Sequence, residues 1–223
     1  GLLRLRYVTP HPKDMGPEDV ALFGDLPALC PRLHLPLQAG SDAVLARMGR
    51  RYDAARFVEL VDALRAARPD MALSTDLIVG FPGESEEDFQ QTLELMRRCA
   101  FMSSFSFCYS DRPGTRASRF LDKIPPDVRR DRLLRLQTLQ EELGQAWLDA
   151  RVGQETEVLI EGESRRNGTE EKRWQGRDPY GALVHVTPAE AASGDMTAGR
   201  MVRVRLTEAK KHSLLGRQMG ASW

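Results

Sequence analysis

The residues best suited to chemistry in this chain lie in two short turns, and both point to the holding of a polar ligand. The first turn is His34-Leu-Pro-Leu-Gln-Ala-Gly-Ser-Asp42. Gln38 can hydrogen-bond a ribose or a carboxylate, and Gly40 permits close approach of the backbone. Ser41 or Asp42 either meets a ligand or caps a following helix. The second turn is Leu73-Ser-Thr-Asp-Leu-Ile-Val-Gly-Phe-Pro-Gly-Glu84. Asp76 interrupts an apolar run, where a carboxylate is costly to bury unless paired or solvated, so it is expected to face a polar cavity. Gly80 and Gly83 admit positive φ or a close-lying ligand, and Pro82 stiffens the turn. Arg51 is a candidate to hold an anionic group bidentately. Thr9, His11 and Lys13 follow the first predicted strand at the same rim, and His11 reads as a hydrogen-bonding loop residue rather than a base.

These turns need elements to position them, and up to about residue 120 strands and helices alternate. Strands are expected at 2–8, 32–38, 72–81 and 104–110, with the Leu77, Ile78 and Val79 run reading as a strand covered on both faces. Helices are expected at 17–26, at 41–48, and after Asp53 with Phe57, Leu60, Val61 and Leu64 on one face. Another follows the N-cap Ser85, with Phe89, Leu93 and Met96 inward. Repeated βα units imply a parallel sheet whose ligands lie beyond the carboxyl ends of its strands. Four such strands cannot close a barrel, and the chain opens on Gly1 rather than an initiator methionine with a strand already expected from Leu2, which suggests a fragment.

From 125 to 152 the pattern becomes one long helix with Leu133, Leu136, Leu139, Leu143 and Leu148 at helical spacing. Short strands at 155–161, 174–177, 183–187 and 199–206 then suggest a small β-barrel. In 201–206 the alternation turns Val202, Val204 and Leu206 inward and Arg203 and Arg205 outward, and with Lys210 and Lys211 they make one edge basic. Trp174 and Tyr180 are candidates to stack on bases. Basic residues clustered on one face are the footprint expected for nucleic acid.

Formal net charge is zero, which argues neither for nor against a polyanionic partner. No apolar run approaches the roughly 18 residues of a membrane span, so no membrane association is expected. Cys30, Cys99 and Cys108 are too scattered for a disulfide framework or a metal site, and a cytoplasmic setting follows.

Together the segments resemble the C-terminal part of a radical S-adenosylmethionine (SAM) methylthiotransferase of the tRNA-modifying type. The motifs that carry the resemblance are Val8-Thr-Pro-His-Pro-Lys-Asp14, the two turns above with Arg50-Arg-Tyr52, Tyr109-Ser-Asp-Arg-Pro-Gly-Thr115 and Leu206-Thr-Glu-Ala-Lys-Lys-His-Ser-Leu214. The resemblance implies an α/β fold: a partial, TIM-like radical SAM barrel (1–124), a helical connection (125–151) and a small all-β, OB-like TRAM barrel for RNA (152–223). It implies that Gln38, Ser41, Asp76, Gly80 and Glu84 line a SAM cavity. Arg51, Lys172, Arg173, Arg203, Arg205, Lys210 and Lys211 would then face substrate or RNA.

The activity so implied is transfer of a methylthio group to C2 of N6-isopentenyladenosine beside the anticodon, driven by a deoxyadenosyl radical from SAM. The alternatives are the threonylcarbamoyladenosine branch and a non-catalytic tRNA-binding module. The implied partners are the tRNA anticodon stem-loop and a sulfur donor system, with a monomeric enzyme. The full-length parent would carry two 4Fe-4S clusters. Their ligands, a Cys-x3-Cys-x2-Cys set and three further cysteines, are absent here, so no metal is assigned to this chain and it is expected to be inactive as it stands.

Overall fold

Three short parallel strands organise the N-terminal half: β1 (Arg32–His34), β2 (Ala72–Val79) and β3 (Ser103–Cys108), in the order β1-β2-β3. The computed structural model describes residues 1–164, 173–189 and 196–219, and the chain divides into units Gly1–Leu143 and Gly144–Trp223. Period-two alternation sends Leu33, Leu73, Leu77 and Val79 to one sheet face, where they join Phe57, Leu64, Phe89 and Met96 in a single core. The register sets His34 beside Ser74, Asp76 beside Phe105 and Ile78 beside Phe107 on the other face. That face is open, with Phe105 60% and Phe107 56% exposed. On β2 itself this face is buried at Ala72 and Ser74 and half-buried at Asp76 and Ile78, so the apolar run is fully covered on one face and partly on the other. Three strands cannot curl shut over their own inner face.

The expected strand at 2–8 does not form. Leu5 makes one parallel bridge to Leu29, while Leu2, Leu3 and Val8 are exposed. A strand needs a continuous neighbour to satisfy its backbone, and this segment has a single point of pairing.

The helices begin where capping chemistry demands. α1 (Pro17–Asp25) opens on Pro17, and the Asp19 carboxylate accepts the Gly16 N–H at 2.9 Å. α2 (Asp42–Arg47) is capped by Ser41, and α3 (Ala54–Ala67) by Asp53, whose Oδ1 accepts the Arg56 N–H at 2.7 Å. α4 (Glu86–Cys99) has a reciprocal capping box between Ser85 and Asp88, and Ala100 in left-handed conformation ends it. Gly40 is dictated by packing: a Cβ there would lie 2.4 Å from Thr92 Cα of α4. Cys99 is a core residue whose burial pushes its thiol up to about 11.

α5 (Pro126–Asp149) is the predicted long helix. Leu136 and Leu139 belong to the core of the first unit and Leu148 to that of the second. In the second unit β4 (Glu155–Glu163), β5 (Trp174–Arg177), β6 (Leu183–Thr187), β7 (Met201–Lys210) and β8 (Ser213–Gln218) close into a barrel of order β4-β5-β6-β8-β7. β6 and β8 pair in parallel, and the other neighbours are antiparallel. β8 was not anticipated. Gly216 interrupts its side-chain pattern, yet any Cβ there would meet Val204 Cγ1 at 2.2 Å, so the barrel interior requires the glycine.

Beside this barrel Asp178, fully buried, pairs with Arg151 Nη1 at 2.5 Å. The Arg151 guanidinium carbon lies 4.8 Å from the Trp147 ring and 4.4 Å from the Tyr180 ring. Tyr180 thus has its ring engaged inside its own domain, and Trp174 packs against the barrel core.

Candidate functional site

The carboxyl ends of β1 and β2 lie side by side, and the loop leaving each is held by specific bonds. Beyond β1 the chain stays hydrogen-bonded to β2, with the Gln38 N–H donating to Asp76 O at 2.8 Å and the Ile78 N–H to Gln38 O at 2.9 Å. Gln38 sits in left-handed conformation, φ 73°, uncommon for a residue with a side chain and found where the surroundings over-determine it. Tyr52 supplies part of that restraint: its hydroxyl donates to the carbonyls of Pro36 and Leu37, at 3.1 and 3.0 Å. Burial pushes the Tyr52 phenol up to about 12, so it stays a donor. The sequence placed Tyr52 only within a motif. A tyrosine shortly after a strand-end turn is the signal that could have marked it.

Asp76 lies on the open sheet face. Its Oδ1 is 3.3 Å from His34 Nε2, and His34 Nδ1 is 3.1 Å from Ser74 Oγ. The His34 ring also meets Phe105 edge-on at 6.0 Å. The expected polar surroundings of Asp76 are therefore a histidine and solvent, with 32% of its side chain exposed. The Gln38 backbone and the His34 side chain thus both meet Asp76, while Gln38 as a residue is buried. His34, Asp76 and Phe105 together offer a donor, acceptors and an aromatic surface suited to a hydroxyl- and amine-bearing ligand such as an adenosine.

The other proposed cofactor residues are tied into the protein. Ser41 is buried, and its hydroxyl donates to Asp88 of α4 as well as capping α2. Gly80 and Gly83 have the expected positive φ, 69° and 81°. The space a Cβ would need is filled from within: a Cβ on Gly80 would lie 2.1 Å from Arg129 Cγ, and one on Gly83 2.6 Å from Asp122 Oδ2. Glu84 is buried, and its Oε2 accepts the Gly80 N–H at 2.6 Å and Arg132 Nη1 at 2.7 Å. Its carboxyl is raised above the ordinary range because burial outweighs the opposing pull of Gly80 and Arg132. Arg132, missed by the sequence reading, is the charge that makes a buried Glu84 tolerable. Its place in the spacing Arg129, Arg132, Arg135 on one helix face was the available signal.

Arg51 is exposed on the loop after α2. In the barrel unit the register sets Glu155 opposite Arg205 and Glu157 opposite Arg203. Arg205 Nη2 pairs with Glu155 Oε1 at 2.6 Å, and Lys210 pairs with Glu208. This face therefore carries alternating charge along the β4–β7 ladder rather than a purely basic edge. Lys211 is exposed and Arg173 half-buried, while Lys172 lies outside the described residues. Among the described residues no group of three His, Cys, Asp or Glu side chains could hold a metal ion, and Cys30 and Cys99 are buried. Among the same residues no helix is long and apolar enough to cross a membrane.

Two family profiles match successive parts of the chain. The radical SAM superfamily profile matches residues 1–96, and the TRAM domain profile matches residues 149–218. Over all 223 residues the chain is 58% identical to a tRNA-2-methylthio-N(6)-dimethylallyladenosine synthase of Nitratidesulfovibrio vulgaris strain Hildenborough, of which it covers 49%. It is 51% identical over 215 residues to the protein of the same name from Lawsonia intracellularis, covering 96% of this chain and 46% of that one. The chain thus spans about half the length of the curated relatives it matches. Among solved structures, coproporphyrinogen III oxidase from Escherichia coli, a radical SAM enzyme, matches with a TM-score of 0.53 at 19% identity, over 63% of this chain and 32% of that chain. The α/β fold of the first part is thus similar to that of a radical SAM enzyme, and the closed five-stranded barrel lies within the TRAM match.

Proposed function

We propose that the chain is the C-terminal half of a radical SAM tRNA methylthiotransferase that adds a methylthio group to C2 of N6-isopentenyladenosine. The observation that carries this reading is the 58% identity over the whole chain to a relative named for that product, supported by the radical SAM match at residues 1–96 and the TRAM match at residues 149–218 of this chain. In the intact enzyme SAM, bound with an iron–sulfur cluster held elsewhere, supplies the one-electron chemistry that an unactivated C–H bond requires.

The residues of this chain bind and orient. Gln38 and Asp76 are assigned to the polar groups of the adenosyl moiety, His34 fixes the Asp76 carboxylate, and the Gly80–Glu84 turn borders the same rim. Ser41 and Glu84 contribute from behind, by holding α2 and the turn in place. The barrel unit is assigned to tRNA, through Arg203, Arg205 and Lys211 at phosphates around the anticodon stem-loop, and Arg51 of the first unit is assigned to substrate or cofactor. A cytoplasmic, monomeric enzyme with two 4Fe-4S clusters and a separate sulfur donor completes the reading.

The test is liquid-chromatography mass spectrometry of tRNA nucleosides from cells lacking the full-length gene. Loss of methylthio-isopentenyladenosine with accumulation of isopentenyladenosine is the expected result. Loss of the threonylcarbamoyl counterpart would overturn the assigned substrate, and an unchanged profile would overturn the activity on tRNA.

A further inference from the structure

The turn that follows β2 is held from outside its own βα unit. Arg132 of α5 donates from Nη1 both to the Glu84 carbonyl, at 3.0 Å, and to Glu84 Oε2, at 2.7 Å. That same carboxylate oxygen accepts the Gly80 N–H, so one buried ion pair joins the first residue of the turn, its last residue and the helix. Three residues earlier, Arg129 lays its stem in the space left by the missing Gly80 side chain and donates from Nη1 to Tyr109 O at 2.6 Å, just past β3. Three residues later, Arg135 Nη2 reaches Glu86 Oε1 at 2.6 Å in the first turn of α4. The i, i+3, i+6 stripe therefore runs from the end of β3, across the turn, to the start of α4.

We infer that this stripe, with Arg132 at its centre, positions the Gly80–Glu84 turn and thereby sets the affinity of the rim for SAM. The inference rests on the function proposed above. Its physical basis is the choice of a buried ion pair at this spot. An apolar contact of similar volume would hold α5 to the sheet equally well, and ion pairs in such places are weak evidence for stability. What the pair supplies instead is direction. The Gly80 peptide, in a left-handed conformation open to many alternatives, has its N–H aimed by the Glu84 carboxylate. Glu84 in turn is held in a rotamer in which Arg132 reaches both its side chain and its carbonyl. In parallel α/β folds this strand end is where ligands lie, so backbone orientation there is read directly as binding. Arg132 is a positioning residue that acts through Glu84.

The experiment uses the full-length protein, anaerobically reconstituted with its cluster, as wild type, Arg132→Met, Arg132→Lys, Glu84→Gln and the Arg132→Met/Glu84→Gln double variant. Three quantities are read: KM and kcat for SAM cleavage, amide hydrogen exchange of the segment containing Gly80 without SAM, and the thermal midpoint. Arg132→Met is expected to raise KM for SAM on the order of tenfold or more, the loss typical of bonds to a charged group, with little change in kcat. The Gly80 segment should exchange faster. Glu84→Gln, which keeps an acceptor for the Gly80 N–H, should stay near wild type in exchange, and the double variant should recover part of the lost affinity. If Arg132→Met fails to fold, Arg132→Lys, which keeps the charge without the two-point contact, should show an intermediate KM. A lower thermal midpoint with unchanged KM and unchanged exchange would overturn the inference. A wild-type protein that neither binds nor cleaves SAM would overturn the functional reading instead, and the exchange data would still decide whether Arg132 holds the turn.

Discussion

Replacing Arg151 by Met should cost the TRAM-type unit much of its stability, and the loss should be largely reversed by a second change. Arg151 is 7% and Asp178 0% exposed at the side chain, and they pair at 2.5 Å. Removing one partner of a buried pair costs about 3–5 kcal/mol, because the other charge stays behind without compensation. Two aromatic rings also lose a stacked cation, a contribution of roughly 0.5–2 kcal/mol each that overlaps with the first and is not simply added. Native domains are stable by only about 5–15 kcal/mol, and a unit of this size lies at the low end. At a urea dependence of about 1.5 kcal/mol/M, the midpoint should fall by about 2–3 M. Asp178→Asn keeps an oxygen for the Ala182 N–H that Asp178 now accepts at 2.8 Å. Arg151→Met/Asp178→Asn should therefore return most of the loss, since neither charge is then stranded. The assay is built into the chain: Trp147, Trp174 and Trp223 all lie in the C-terminal unit, so tryptophan fluorescence follows that unit alone while far-ultraviolet dichroism follows the helices. Equal midpoints for Arg151→Met and the double variant would refute the stranded-charge argument. A wild-type-like midpoint for Arg151→Met would refute the importance of the pair altogether.

Three further outcomes follow from the same geometry. Gly80→Ala should destabilise the first unit by more than the roughly 1 kcal/mol of a left-handed alanine, because its Cβ would run into Arg129 Cγ; in urea unfolding, Gly80→Ala/Arg129→Ala should recover the steric part and leave the backbone part. Glu84 has its carboxyl raised by burial, so the native state holds its proton more tightly than the unfolded chain does. Its contribution is then fully present below the unfolded carboxyl value of about 4.3 and is lost as pH rises through the folded value. Glu84→Gln should remove that component from the pH dependence of unfolding, and identical pH slopes for the two proteins would contradict it. In the barrel unit, Glu155→Gln frees Arg205 from its ion pair. If that face meets tRNA phosphates, affinity at low salt should rise and the salt slope steepen by about one charge, whereas Arg203→Ala/Arg205→Ala should flatten it; unchanged slopes would remove this face from the interface.

The parts of the fold legible in the sequence were those governed by contacts close along the chain. Ser41, Asp53 and Ser85 cap helices because a side-chain oxygen two or three residues from an orphan N–H satisfies it with no help from the rest of the fold. The inward face of α3 and the alternation in β7 follow equally from local periodicity. The failures mark where distant partners decide. Residues 2–8 have strand-like composition, but only Leu29 is there to pair. β8 lacks the alternation expected of a strand because Gly216 must yield to Val204 across the barrel. Both are tertiary constraints overriding local pattern.

The same division runs through the candidate site. Gln38 was identified as a polar residue at a strand end and Asp76 as a carboxylate interrupting an apolar run, and the Gln38 backbone and the His34 side chain both meet Asp76. For the glycines the conformational half of the argument holds, since Gly80 and Gly83 take positive φ, but the room they leave is occupied by Arg129, Asp122 and Arg47. Glu84 is the most instructive case. The family resemblance implied a group lining the ligand cavity, yet its charge is spent on Gly80 and on an arginine 48 residues away in sequence. A residue can thus belong to a binding site by shaping the backbone that meets the ligand while making no contact itself. A carboxylate that the fold buries beside a glycine turn should be read first as the turn's internal strut.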